Sequence, residues 1–141
     1  MTPNPYTTFR TFRTKIVLDG HPKTQVDVAG AVTACCEVDL EKKSMKVGFS
    51  FMNPCDPLFK VRGRGKAVSR LEHFPVVITG LEPAQNGKLQ VTEALLKYLR
   101  EVVKQPTESI PELLGVKEYR GEKTRSEFMK WFPSFVAALV P

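Results

Sequence analysis

From Val26 to Leu40 apolar and polar positions alternate. The even positions are Val26, Val28, Gly30, Val32, Ala34, Cys36, Val38 and Leu40, and the odd positions include Asp27, Thr33, Cys35, Glu37 and Asp39. Successive side chains of a strand point to opposite faces, so this period-two pattern predicts a strand with one buried face. Gly30 sits inside it, where a missing side chain marks a bulge or bend. A polar connection, Glu41-Lys42-Lys43-Ser44, leads to Met45, Val47, Phe49 and Phe51, which alternate with Lys46, Gly48 and Ser50. Pairing Leu40 with Met45 sets Val38 opposite Val47, Cys36 opposite Phe49 and Ala34 opposite Phe51. All share one face, which predicts an antiparallel hairpin. Upstream, Thr7 to Leu18 is rich in Thr and Phe and ends at the turn pair Asp19-Gly20, a third antiparallel strand.

Beyond Phe51 the period changes. Asn53-Pro54-Cys55-Asp56-Pro57 is turn chemistry, with Asp56 as N-cap and Pro57 at the first helical position. A helix over 58–72 places Val61, Val68 and Leu71 roughly on one face, against the helix cost of Gly63 and Gly65, about 1 kcal/mol each. Pro75 to Thr79 reads as a short strand and Gly80 to Lys88 as a loop. Thr92 caps a run with Leu95, Leu99, Val102 and Val103 at helical spacing, closed by Pro106. Ser109-Ile110-Pro111-Glu112 is a capping box opening a turn that stops near Gly115, and Thr124-Arg125-Ser126-Glu127 is another. The helix after it carries Phe128, Trp131, Phe132 and Phe135, and Pro133 kinks it or splits it in two. The expected fold is one α+β domain over 1–141. It has an antiparallel meander sheet of three to four strands, with a basic helix and C-terminal helices packed on one face.

Composition narrows the function classes. Lys and Arg number 21 against 15 Asp and Glu, a net charge of +6. Such a balance invites a polyanionic partner. Three cysteines, two of them adjacent, do not make a disulfide framework, and the N-terminal stretch lacks the apolar run of a signal peptide. The longest apolar stretch, Phe135 to Val140, is far short of the roughly 20 residues a membrane helix needs. A cytoplasmic setting and no membrane partner are therefore expected.

The positive charge is clustered. Lys60, Arg62, Arg64, Lys66 and Arg70 follow one another between Asp56 and Glu72 with no acid among them. Arg-Gly-Arg-Gly lets guanidinium forks and backbone N–H groups come close to phosphates. Arg10, Arg13 and Lys15 add cations on the first strand, with Phe9 and Phe12 interleaved as stacking platforms for bases. The plainer alternative is a solvated helix face. The stretch from Asp56 to Leu71 also resembles a pattern in small phage- and mobile-element-encoded proteins of unassigned function. Asp56, Leu58, Gly63, Arg64, Ala67, Arg70 and Leu71 fill that pattern, and Ser69 stands where it carries glycine. This resemblance implies a viral or mobile-element origin, hence the cytoplasm of a host cell, and no particular activity.

Signs of catalysis and metal binding are sparse. His21 and His73 are the only histidines, and no Cys-x-x-Cys or His-x-x-x-His spacing occurs. Cys55, Asp56 and His73 could meet only through the fold. Cys35, read as exposed beside Glu37, has a carboxylate neighbour that raises rather than lowers its thiol pKa. Glu37 and Asp39 share a strand face about 7 Å apart, a spacing more common on solvated faces. No catalytic residue, metal or cofactor is assigned.

The leading expectation is a non-enzymatic, basic accessory protein binding DNA or RNA through Arg10, Arg13, Lys60, Arg62, Arg64, Lys66 and Arg70. A homodimer, by way of the C-terminal aromatics, is a further expectation. The alternatives are a protein-interaction module that inhibits or adapts a host factor, and a small enzyme.

Overall fold

A computed structural model describes residues 4–16, 28–52, 60–116 and 121–139. Strands β1 (Tyr6–Ile16), β2 (Val28–Asp39), β3 (Ser44–Met52) and β4 (Val76–Ile78) form one antiparallel sheet in the order β1-β2-β3-β4. The helices are α1 (Lys60–His73), α2 (Val91–Val102), α3 (Ile110–Leu113), α4 (Glu122–Met129) and α5 (Phe132–Leu139). The α+β class and the meander are as expected. The turn at Asp19-Gly20 lies outside the described residues.

The alternating pattern sets what each sheet face does. Val32, Ala34, Cys36 and Val38 on β2 and Met45, Val47, Phe49 and Phe51 on β3 form the floor of the main core. Phe49 stacks on Tyr98 of α2 with centroids 6.3 Å apart, and Phe51 meets Phe128 and Phe132 edge-on at 5.1 and 5.4 Å. The C-terminal aromatics Phe128, Trp131, Phe132 and Phe135 are thus core residues, all buried. Rings at these separations and tilts add about 0.5–1.5 kcal/mol per pair to the area they bury.

The opposite face was expected to meet solvent, with all helices on one side. Instead α1 lies against it, and the helices divide between the two faces. The reason is size. Ala31, Thr33, Cys35, Gly48 and Ser50 make a flat floor of small side chains, all buried, and α1 brings Gly63 and Ala67 down onto it. A Cβ on Gly48 would overlap the carbonyl oxygen of Ala67 and the amide nitrogen of Leu71, so helix and sheet backbones touch there. Two glycines that oppose α1 by propensity therefore have different uses. Gly63 sits over Thr33 and Ser50, whereas Gly65 faces open space.

Several local expectations shift. The β2–β3 turn begins one residue earlier than the pattern suggests, pairing Asp39 with Ser44, Val38 with Met45 and Cys36 with Val47. The cause is Asp39, whose Oδ1 accepts hydrogen bonds from the backbone N–H groups of Glu41 and Lys42, both at 3.0 Å. Lys43 completes the turn at φ 51°, and the backbone N–H of Lys42 leads the contacts that lower the Asp39 pKa. Because every partner moves by two residues, the core-facing set keeps its face. Gly30 marks no bulge, since the β1–β2 register runs unbroken through Thr14 and Gly30.

Helix starts differ as well. Gln90 rather than Thr92 stands at the N-cap of α2, without a side-chain capping bond, and Thr124 lies inside α4, which begins after Gly121. Ser109 makes no capping bond to α3, its Oγ donating instead to the Pro106 carbonyl. Pro133 lies in the first turn of α5, so the C-terminal helix is split there into two.

Candidate nucleic-acid interface

The seven cations singled out in the sequence do not form one patch. Arg70 is only 7% exposed and donates from Nη1 to the carbonyl oxygen of Phe49 at 2.8 Å. It is an anchor between α1 and β3, not part of the exposed surface. The helical period explains this: Gly63, Ala67 and Arg70 share the face that meets the sheet.

Arg10 is set apart by parity. It pairs with Ala34, a core-face residue, and therefore lies on the opposite sheet face from α1. Its Nε donates to Thr92 Oγ1 at 3.1 Å, and Nη1 donates to the Phe9 carbonyl and to Thr8 Oγ1. Arg10 thus ties β1 to the start of α2. Phe12 shares its face and packs against the core, so it offers no stacking platform for a base.

The remaining cations keep the α1 side. Arg13 pairs with Ala31, Phe9 with Cys35, and both fall on the face that α1 covers. Arg13, Arg64 and Lys66 are exposed. Arg64 reaches over β1, its guanidinium carbon 5.2 Å from the Phe9 ring centroid. That contact positions the cation and covers a ring face a base could have used. Arg13 lies four residues along β1 from Phe9, about 13 Å by strand rise. Gly63 over Thr33 and Ala67 over Gly48 set the helix direction, so the start of α1 lies toward the Arg13 end of the sheet. The side chains of Lys60 and Arg62 lie outside the described residues. Lys66 stands about 200° round the helix from Arg64, so the cations straddle α1 and do not line one edge of it.

The helix electrostatics add to this. Among the described residues, the first turn of α1 contains no acidic residue beside the partial positive charge of a helix N-terminus.

Alternating sequence missed a second basic stripe. Lys97, Arg100 and Lys104 recur at helical spacing along and just beyond α2 and line a groove of about 590 Å³ against Pro133, Val136 and Ala137 of α5. Their i, i+3, i+7 spacing was the available signal. Glu101 intervenes and pairs with Lys104 at 3.5 Å, which dilutes the charge.

Cys35 is buried beneath α1 rather than exposed, and burial, then Glu37 and Glu72, raise its thiol pKa. Cys36 in the main core is pushed up by burial to about 12, with Cys35 adding to the shift and Arg10 opposing it. Neither is an activated nucleophile. The unfolded chain releases these protons near the ordinary 9.0 while the folded chain keeps the Cys36 proton to about 12. Their contribution to stability is therefore full below pH 9 and declines across the interval above it. Denaturant unfolding at stepped pH should show the wild type losing stability above pH 9 more steeply than Cys36→Ala, by at most about 1.4 kcal/mol per pH unit. Parallel slopes would contradict the assignment.

His73 ends α1 as expected, exposed, with Nδ1 2.8 Å from the Ser69 carbonyl oxygen. Cys55, Asp56 and His21 lie outside the described residues. Among the described residues no group of three His, Cys, Asp or Glu side chains could hold a metal ion, and no helix is long and apolar enough to cross a membrane. No family model matches the chain, and neither a curated protein nor a solved structure shows a match to it.

Proposed function

We propose that the chain binds nucleic acid through phosphate contacts made by the first half of α1 and the adjacent end of β1. The observation that carries this reading is that Arg64 and Lys66 are exposed on a helix seated backbone-to-backbone on the sheet, with exposed Arg13 on the same sheet face. A seated helix loses little further freedom when a ligand binds, so each phosphate contact returns more of its energy as affinity. Lys60 and Arg62 join the proposed set through their place in the same helix, with no acid between Lys60 and Arg70. Arg10 and Arg70 do not.

Contacts of this kind weaken with salt in proportion to the phosphates neutralised. Replacing Arg13, Arg64 and Lys66 together by Ser should lower the slope of log affinity against log salt by about 2–3 and weaken all sequences alike. An unchanged slope in a folded triple variant would refute the proposed surface.

A second reading, a protein-interaction module, is favoured by Phe74 and Val77, large apolar side chains 41% and 59% exposed at the α1–β4 junction. It predicts binding to a protein surface that survives added salt better than phosphate contacts do.

A further inference from the structure

We infer that β1 is a self-pairing edge, joining two copies of this chain into one continuous eight-stranded sheet. The inference stands on β1 alone and not on the nucleic-acid reading.

β1 is 11 residues long, ends the sheet, and contains no proline. Among the described residues it pairs only with β2. Such an edge presents a row of backbone donors and acceptors and usually carries a device against indiscriminate pairing. Here the device is exposed Arg13, and its spacing from Phe9 admits one partner. The strand reads Thr8-Phe9-Arg10-Thr11-Phe12-Arg13-Thr14.

A two-fold axis perpendicular to the sheet makes antiparallel copies meet with residues of equal parity opposite each other. Centred on Thr11, residue i faces residue 22 − i of the second copy. Arg10 then faces Phe12, Phe9 faces Arg13, and Thr11 faces itself. On the α1 face, exposed Arg13 then meets Phe9 of the second copy, and this reciprocal contact repeats across the axis. On the core face Arg10 keeps its own bonds to Thr92, Thr8 and Phe9, and Phe12 stays packed on the core. Centred on Arg10, that arginine faces its own copy, and centred on Phe12, Arg13 faces Thr11. The register on Thr11 alone places exposed Arg13 opposite Phe9 and keeps Arg10 away from its own copy. Phe9 and Arg13 lie on the α1 face, so both arginine–ring contacts form on that side of the joined sheet.

Thr11 is exposed, which leaves the axis open to substitution. Light scattering of the full chain should give a molar mass rising from 15.8 kDa toward twice that value over about 10 to 500 μM. Thr11→Lys and Thr11→Glu each place like charges directly opposite at the axis and should weaken dimerisation at least about tenfold. An equimolar mixture of the two, with Lys opposite Glu, should regain dimer close to the wild-type level. Hydrogen exchange provides a check that needs no variant: outward amides of β1 in the wild type should slow as concentration rises. A wild type that stays monomeric overturns the inference. So do a Thr11→Lys variant as dimeric as wild type, a mixture that stays monomeric, and β1 exchange independent of concentration.

Discussion

Gly48→Ala should abolish the native seating of α1. One methyl group on β3 would occupy the space of the Ala67 carbonyl oxygen and the Leu71 amide nitrogen, with Leu71 Cα at 2.9 Å. These are backbone atoms, so no side-chain rotation relieves the overlap. Overpacking by a methylene commonly costs 1–3 kcal/mol where side chains can give. With helix backbone as the obstacle, about 4 kcal/mol or more is expected, a large part of a small domain's whole stability. Denaturant unfolding followed by far-UV circular dichroism checks it. A loss below about 1 kcal/mol would mean that α1 does not lie on the sheet as described. Gly65→Ala is the control: its Cβ meets nothing within 4 Å, so replacing a mid-helix glycine there should be neutral or gain up to about 1 kcal/mol.

Arg70→Ala is the second large effect. Truncation removes the bond to the Phe49 carbonyl and empties the space of a long side chain held at 7% exposure. Losing a charge-assisted bond and opening a cavity together predict about 2–4 kcal/mol. Stability and binding should separate at this position. Measured below its melting range, Arg70→Ala should keep the wild-type salt slope for nucleic acid, because a buried guanidinium contacts no phosphate. A reduced slope with unchanged stability would return Arg70 to the surface set.

How much of this was legible in the sequence depended on what each residue had to announce. Large apolar residues at period two announced the core face of β2 and β3, and the aromatics from Phe128 announced a C-terminal helix that Pro133 would kink or split. Small residues announce nothing. Thr33, Cys35, Gly48 and Ser50 look like a solvent-facing set, and only the arrival of Gly63 and Ala67 makes them a helix seat. The same blindness hid Arg70, whose charge counts equally in a sequence whether it meets solvent or a backbone carbonyl. Arg10 and Arg13 carried their own evidence, since an odd separation of three on a strand places them on opposite faces. The turn register turned on one carboxylate, Asp39, whose choice of the Glu41 and Lys42 amides no hydrophobic pattern reports.

The seating of α1 and the binding proposal meet in one arrangement, a rigid basic helix displayed beside the end of β1. The most direct measurement is fluorescence anisotropy of the wild-type chain with labelled single- and double-stranded DNA and RNA from about 50 to 300 mM salt. Micromolar or tighter binding whose logarithm falls steeply with the logarithm of salt is the result expected of phosphate contacts. Absence of binding to all four at the lowest salt would contradict the account and leave Arg13, Arg64 and Lys66 as a solvated surface.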